Sequence, residues 1–125
     1  MNIALPGWLV GDFGTLYNGQ APGVTLDIPK FTRADHYPGG NMIAGIVLGK
    51  VSETGLYGPY DPESSDGRQN AKGFLLGSPP VVDGATQMRG TILLAGFVDP
   101  GRLPTVSGLD AAARAALRNV VFVDV

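Results

Sequence analysis

Met42-Ile-Ala-Gly-Ile-Val-Leu-Gly-Lys-Val51, followed by Ser52-Glu-Thr-Gly55 and Leu56-Tyr-Gly-Pro-Tyr60, is the stretch on which the fold turns. Its first segment is rich in branched apolar residues and has the length of a strand, so it reads as a central strand. Glu53-Thr-Gly55 supplies a tight turn, and Leu56–Tyr60 returns as the second arm of a hairpin that carries two tyrosines. Just before the strand, Tyr37-Pro-Gly-Gly-Asn41 is strong turn chemistry.

On the amino-terminal side of that stretch, the alternation of Val24, Leu26 and Ile28 predicts a short strand from Val24 towards Phe31, ended by Pro29, which offers no ladder donor. Asp61 to Gly67 reads as a polar loop, and Ala71–Leu76 as another strand ended by Gly77-Ser-Pro-Pro80. Val81-Val-Asp-Gly84 turns the chain, and Met88 to Val98 is expected to be a second long apolar strand. A single helix is expected at Ala111-Ala-Ala-Arg-Ala-Ala-Leu117, where Ser107 and Asp110 have capping-box spacing and alanine has the best helix propensity. Leu109, Ala113, Ala116, Leu117 and Val120 fall near one face of it, and Val120–Val125 closes the chain as a strand.

The fold class expected is therefore α+β: a small β-rich mixed domain of short strands and hairpins with one helix near the carboxyl terminus. The 125 residues, 44% hydrophobic and 16% charged, suit one folded domain. The 19 Gly and 10 Pro cut the backbone into short elements. Residues 1–25 read as an amino-terminal arm whose apolar side chains follow neither helical nor strand period, and 26–125 as the single domain. Trp8 and Phe13 need cover, which their own domain, a neighbouring subunit or another protein can provide.

A net charge of −2 with scattered basic residues gives no electrostatic footprint for nucleic acid. No cysteine means no disulfide, thiolate metal site or cysteine nucleophile. The first basic residue is Lys30 and the densest apolar run, Thr91–Val98, is far too short for a bilayer, so the chain reads as soluble and unprocessed, with no membrane partner.

His36 is the only histidine. Asp35 beside it could orient the ring, but neighbouring residues usually point apart and no nucleophile elbow is present. Gly45-Ile-Val-Leu-Gly-Lys-Val51 has too few residues between its glycines for a phosphate loop, and Val51 stands where a hydroxyl would hold Mg²⁺. Asp61-Pro-Glu-Ser-Ser-Asp-Gly67 lacks the glycine position and the following Glu of a calcium loop, so Asp61 and Asp66 are expected to make side-chain-to-backbone turns. Glu53 and the nearby carboxylates could form an acid/base pair for glycoside hydrolysis, but in so small a domain with sparse acidic residues solvated turn positions are their commoner use. Tyr57, Tyr60 and Trp8 are the candidates for stacking on a sugar, and core or interface positions are their commoner use.

The run from Gly45 to Val51, Thr54-Gly-Leu-Tyr57, Tyr60-Asp-Pro62, Asp66-Gly67, Arg89-Gly90 and Gly108-Leu-Asp-Ala-Ala-Ala-Arg-Ala-Ala-Leu117, in that order, resembles the head decoration protein D family of phage lambda. The resemblance spans residues 42–125, and Gly77–Gly84 stands outside its pattern. It implies a lambda decoration-protein-like homotrimer, with no catalytic residue and no cofactor or metal. Such a trimer would bind the major capsid protein at three-fold and quasi-three-fold sites on the outside of an expanded head. In that family the amino-terminal arm engages the capsid, and here Leu5, Trp8, Leu9 and Phe13 are the apolar arm residues to fill capsid pockets. The alternative reading is a virion-surface glycan-binding or adhesion module.

Overall fold

A computed structural model of the chain describes residues 7–11 and 22–123. Five strands close into a barrel: β2 (Gly23–Asp27), β3 (Val47–Lys50), β4 (Tyr57–Pro59), β5 (Ala71–Leu76) and β6 (Gln87–Leu93), in the order β2-β4-β3-β5-β6. All the pairings are antiparallel except β2 with β4, where Leu26 lies opposite Tyr57 and closes the ring. A second sheet sets β1 (Leu9–Gly11) antiparallel and β8 (Val120–Phe122) parallel to a central β7 (Gly96–Val98). Among the described residues two short helices, α1 (Arg33–His36) and α2 (Ala111–Ala116), join these sheets in an α+β domain.

The apolar runs are explained by burial on both faces, because successive strand side chains point to opposite sides. Leu26, Leu48, Leu75 and Ile92, one from each of four barrel strands, meet inside the barrel with Ile28, Phe31, Met42 and Ile46. Their strand neighbours Val47, Phe74, Leu76 and Leu93 face outward into a second core, roofed by Leu9, Val98 and Val120 of the small sheet, by Trp8 just before β1 and by Ala113 and Leu117 of the helix region. β3 and β5 thus serve two cores at once.

Several expected elements are shorter or divided. The strand expected over Met42–Val51 is regular only at Val47–Lys50, because the chain turns at Gly45. Gly45 has φ +100, and a Cβ there would lie 2.7 Å from Pro104 Cδ and 2.9 Å from Trp8 Nε1, so backbone shape and close packing both demand glycine. The strand expected from Val24 ends at Asp27 and passes into a 3₁₀ turn at Ile28–Lys30 with Pro29 near its start. Met88–Val98 is two strands in different sheets, β6 and β7, which part at the exposed Leu94 and buried Ala95. The final strand is confined to Val120–Phe122, and residues 124–125 lie outside the described residues.

The helix lies where expected, but its cap differs. Asp110 itself is the N-cap, its carboxylate accepting from the Ala113 N–H at 2.8 Å, while Ser107 belongs to a preceding 3₁₀ turn. Ala113, Leu117 and Val120 are buried, whereas Ala116 is exposed. α1 was not expected, since one turn of helix leaves no periodic signal. Nor is residue 25 a boundary: β1 lies in the small sheet, β2 begins at Gly23, and both are built into the domain.

Candidate functional site

Of the four arm residues, Leu5 and Phe13 lie outside the described residues. Trp8 and Leu9 are only 3% and 5% exposed, packed within the chain's own core. The Trp8 ring is tilted against Phe74 at 5.5 Å between centroids, and Phe74 in turn meets Phe122 edge-on. The Trp8 carbonyl accepts from the Asp99 N–H at 2.8 Å. Asp99, itself buried, accepts from the Gly101 N–H and pairs with Arg102. These two apolar side chains therefore anchor β1 to the domain and are not presented to a partner. Trp8 Nε1 is buried with no hydrogen-bond partner among the described residues, an unusual arrangement for an indole.

The tyrosines divide in the same way. Tyr60 is buried, and its hydroxyl donates to both oxygens of Asp110 at 2.9 and 3.1 Å, tying the end of the hairpin to the cap of α2. A buried hydrogen bond to a charged acceptor is worth about 1.5–3 kcal/mol. Burial first, and then the Asp110 carboxylate, push the Tyr60 phenol above its ordinary value, so it stays a donor at neutral pH. Tyr57 is partly buried against the barrel interior. With Trp8 and Tyr60 both enclosed, the three aromatic rings offer no shared stacking platform.

His36 ends α1, and its Nδ1 accepts from the Thr32 N–H at 2.9 Å. The ring meets the buried Phe31 edge-on, and burial lowers its pKa against the opposing pull of Asp35. The imidazole is thus committed as a local cap. Gly45–Lys50 forms a turn and strand, not a phosphate cradle.

Asp61–Gly67 behaves as the residue types suggest. Asp61 accepts from the Glu63 N–H, and Asp66 accepts from the Arg68 N–H and Nε and from the Ser64 hydroxyl. Lys30 reaches Asp66 at 3.6 Å from the 3₁₀ turn after β2. Among the described residues, no cluster of three or more His, Cys, Asp or Glu is placed to hold a metal ion, and no helix is long and apolar enough to cross a membrane.

Asp66 has a pH signature. The Ser64 hydroxyl foremost, then the Arg68 amide and side chain, hold its carboxyl below the ordinary carboxylate value. A depressed folded value means the contribution to stability is complete above the unfolded pKa of about 3.9 and is lost as pH falls below it. Asp66→Asn should therefore lower the denaturant midpoint at neutral pH, and the gap between the two proteins should close on acidification. An unchanged gap would show that Asp66 is not the titrating group.

Two clefts remain. One of about 460 Å³ lies where β2, β5 and β6 meet, with Arg89 as the only ionisable residue among its described lining. The other, about 490 Å³, borders the start of α2 and contains Asp110 and Arg114. Asp110 is already engaged by Tyr60 and Ala113, and Arg114 lies 4.8 Å from the Phe122 ring centroid. Among the described residues the exposed large apolar side chains are Val82, Leu94 and Val121; Val121 projects from β8. No protein-family pattern, curated protein or solved structure matches the chain.

Proposed function

We propose that this chain is a capsid decoration protein that binds the major capsid protein as a homotrimer on the outer surface of a bacteriophage head and stabilises the head against the pressure of packaged DNA. The ordered resemblance over residues 42–125 supports the reading, and its motifs occupy coherent places in the fold. Thr54-Gly55 turns the β3–β4 hairpin, Asp66 holds the loop after it, and Asp110 caps α2 before β8. That ordered resemblance is what carries the reading, and the seating of Trp8 and Leu9 bears on where the grip lies. This seating fixes β1 to the body and leaves Gly7, which is exposed, as the point where residues 1–6 join.

The grip on the shell is accordingly assigned to residues 1–6, with Ile3 and Leu5 as its apolar side chains. A trimer presents three such segments, and once one is bound the others act at high effective concentration. Avidity can then exceed a single contact by roughly 10²–10⁴-fold.

The test is a deletion of residues 1–6 that spares Trp8, compared with the full chain by mass measurement in solution and by co-sedimentation with expanded shells. Both proteins should be trimers, and only the full chain should pellet with shells. Binding by the truncated protein would defeat the role of residues 1–6. A monomeric full chain that ignores the shells would defeat the whole reading.

A further inference from the structure

The chain contains two Asp-Gly pairs, Asp66-Gly67 and Asp83-Gly84, and the fold treats them in opposite ways. Asp-Gly is the dipeptide most prone to spontaneous isomerisation, because glycine has no side chain to shield its amide nitrogen. That nitrogen, after losing its proton, attacks the aspartate Cγ; the carboxyl C–O bond breaks and the oxygen leaves as water, giving a five-membered succinimide. Water then adds back. Attack at the α-carbonyl leaves the backbone running through Cβ and Cγ, an isoaspartate with a free α-carboxylate. One water is lost and one gained, so the mass is unchanged and no co-reactant is needed.

Both reacting groups are held at Asp66-Gly67. The carboxylate is bound by Ser64, Arg68 and Lys30, and the Gly67 N–H donates to Gln69 Oε1 at 2.8 Å. Gly67 is also pressed against Ser52, whose Oγ and N lie 2.6 and 2.9 Å from where a Cβ would sit, so the backbone has little room to rotate. Water loss further needs a protonated carboxyl, and Asp66 is held as the carboxylate.

Asp83-Gly84 has none of these restraints. It forms the centre of a turn between β5 and β6, closed by the Ala85 N–H donating to the Val82 carbonyl at 3.0 Å. The Asp83 side chain is 99% exposed, and its one ion pair, to Arg33, is long at 3.9 Å. Among the described residues nothing accepts a hydrogen bond from the Gly84 N–H. Nothing lies within 4 Å of where a Gly84 Cβ would be. Local rotation is therefore open to this pair without disturbing either core.

We propose that Asp83 is a spontaneous modification site of the folded protein, converting to isoaspartate through a succinimide with Gly84, while Asp66 is protected by the fold. The modified residue presents a free α-carboxylate in an exposed turn, the chemical group that isoaspartate-specific carboxyl methyltransferases esterify with S-adenosylmethionine.

The test is to age the full chain at neutral pH, digest it after Lys and Arg, and follow two peptides by chromatography and mass. Residues 73–89 contain Asp83 as their only acidic residue, and residues 51–68 contain Asp66. An isobaric second form of 73–89 should accumulate at least roughly tenfold faster than one of 51–68, the order expected when the slower site must first break more than one hydrogen bond. It should also accept a labelled methyl group from S-adenosylmethionine when such a methyltransferase is added as the probe. In urea-unfolded protein the two rates should converge. Asp83→Glu and Gly84→Ala should each abolish most of the signal, the first because a five-membered ring can no longer form and the second because a methyl group shields the nitrogen. Equal rates in the folded protein, or methyl acceptance by the 73–89 peptide that survives both substitutions, would overturn the proposal; the peptide readout keeps Asn18-Gly19, which reaches isoaspartate through the same succinimide, out of the signal.

Discussion

Replacing Trp8 with alanine lowers the free energy of unfolding by about 3–5 kcal/mol, the range for removing a large aromatic side chain from a packed core. The expectation rests on its 3% exposure, its contact with Phe74 and its close approach to Gly45. Trp8→Phe should lose less than half as much, since it keeps most of the packing and removes an indole N–H that has no partner among the described residues. Denaturant titration measures both. Because Trp8 is the only tryptophan, its emission also reports whether β1 is docked. A native spectrum shifted to the blue, moving to the red on unfolding, is the expected behaviour. A Trp8→Ala protein as stable as the parent would show that β1 does not roof the second core, and the assignment of residues 1–6 as the grip would lose its anchor.

Gly67→Ala should destabilise by about 3 kcal/mol or more, combining the strain of a left-handed backbone with a steric clash. Gly67 has φ +116, and an added Cβ would collide with the Lys50 carbonyl and with Ser52. Neither can easily yield, because the Ser52 N–H is bonded to the Asp66 carbonyl at 2.8 Å. Gly84→Ala makes the comparison, since φ is +81 but the space is open. Only the backbone strain applies there, about 1–2 kcal/mol. Equal losses at the two positions would mean that the loop after the hairpin is not held against β3 as described.

The two substitutions separate what was legible from what was not. Ala71–Leu76 and the Glu53–Gly55 turn could be read directly, because a short apolar run bounded by glycine and proline has few alternatives to a strand and a turn. Asp61 and Asp66 could also be read as turn-makers, since a short carboxylate bonds to nearby backbone wherever it sits beside Pro or Gly. The alanine run announced α2, but not which residue caps it. Asp110 was legible only as part of a box begun by Ser107, and the intervening 3₁₀ turn reassigned it.

The partition of Met88–Val98 between two sheets had no local signal. Leu93 is fully buried and Leu94 exposed for reasons that reside in distant strands.

The amino-terminal segment shows the division most clearly. Composition alone established that Trp8 and Phe13 need cover, since apolar surface of that size is not left in water without a partner, and of the two only Trp8 lies among the described residues. It did not identify the cover, because burial depends on which surfaces the remaining chain brings within reach, and strand pairing is non-local. β1 has its place because β7 lies in the small sheet to pair with it and Phe74 faces outward from β5 to meet Trp8. A small β-rich domain, its turns and its alanine helix all follow from local backbone preference and could be read along the chain. Tertiary structure alone decided that the barrel closes, that its wall serves two cores, and that Trp8 belongs to the chain that carries it.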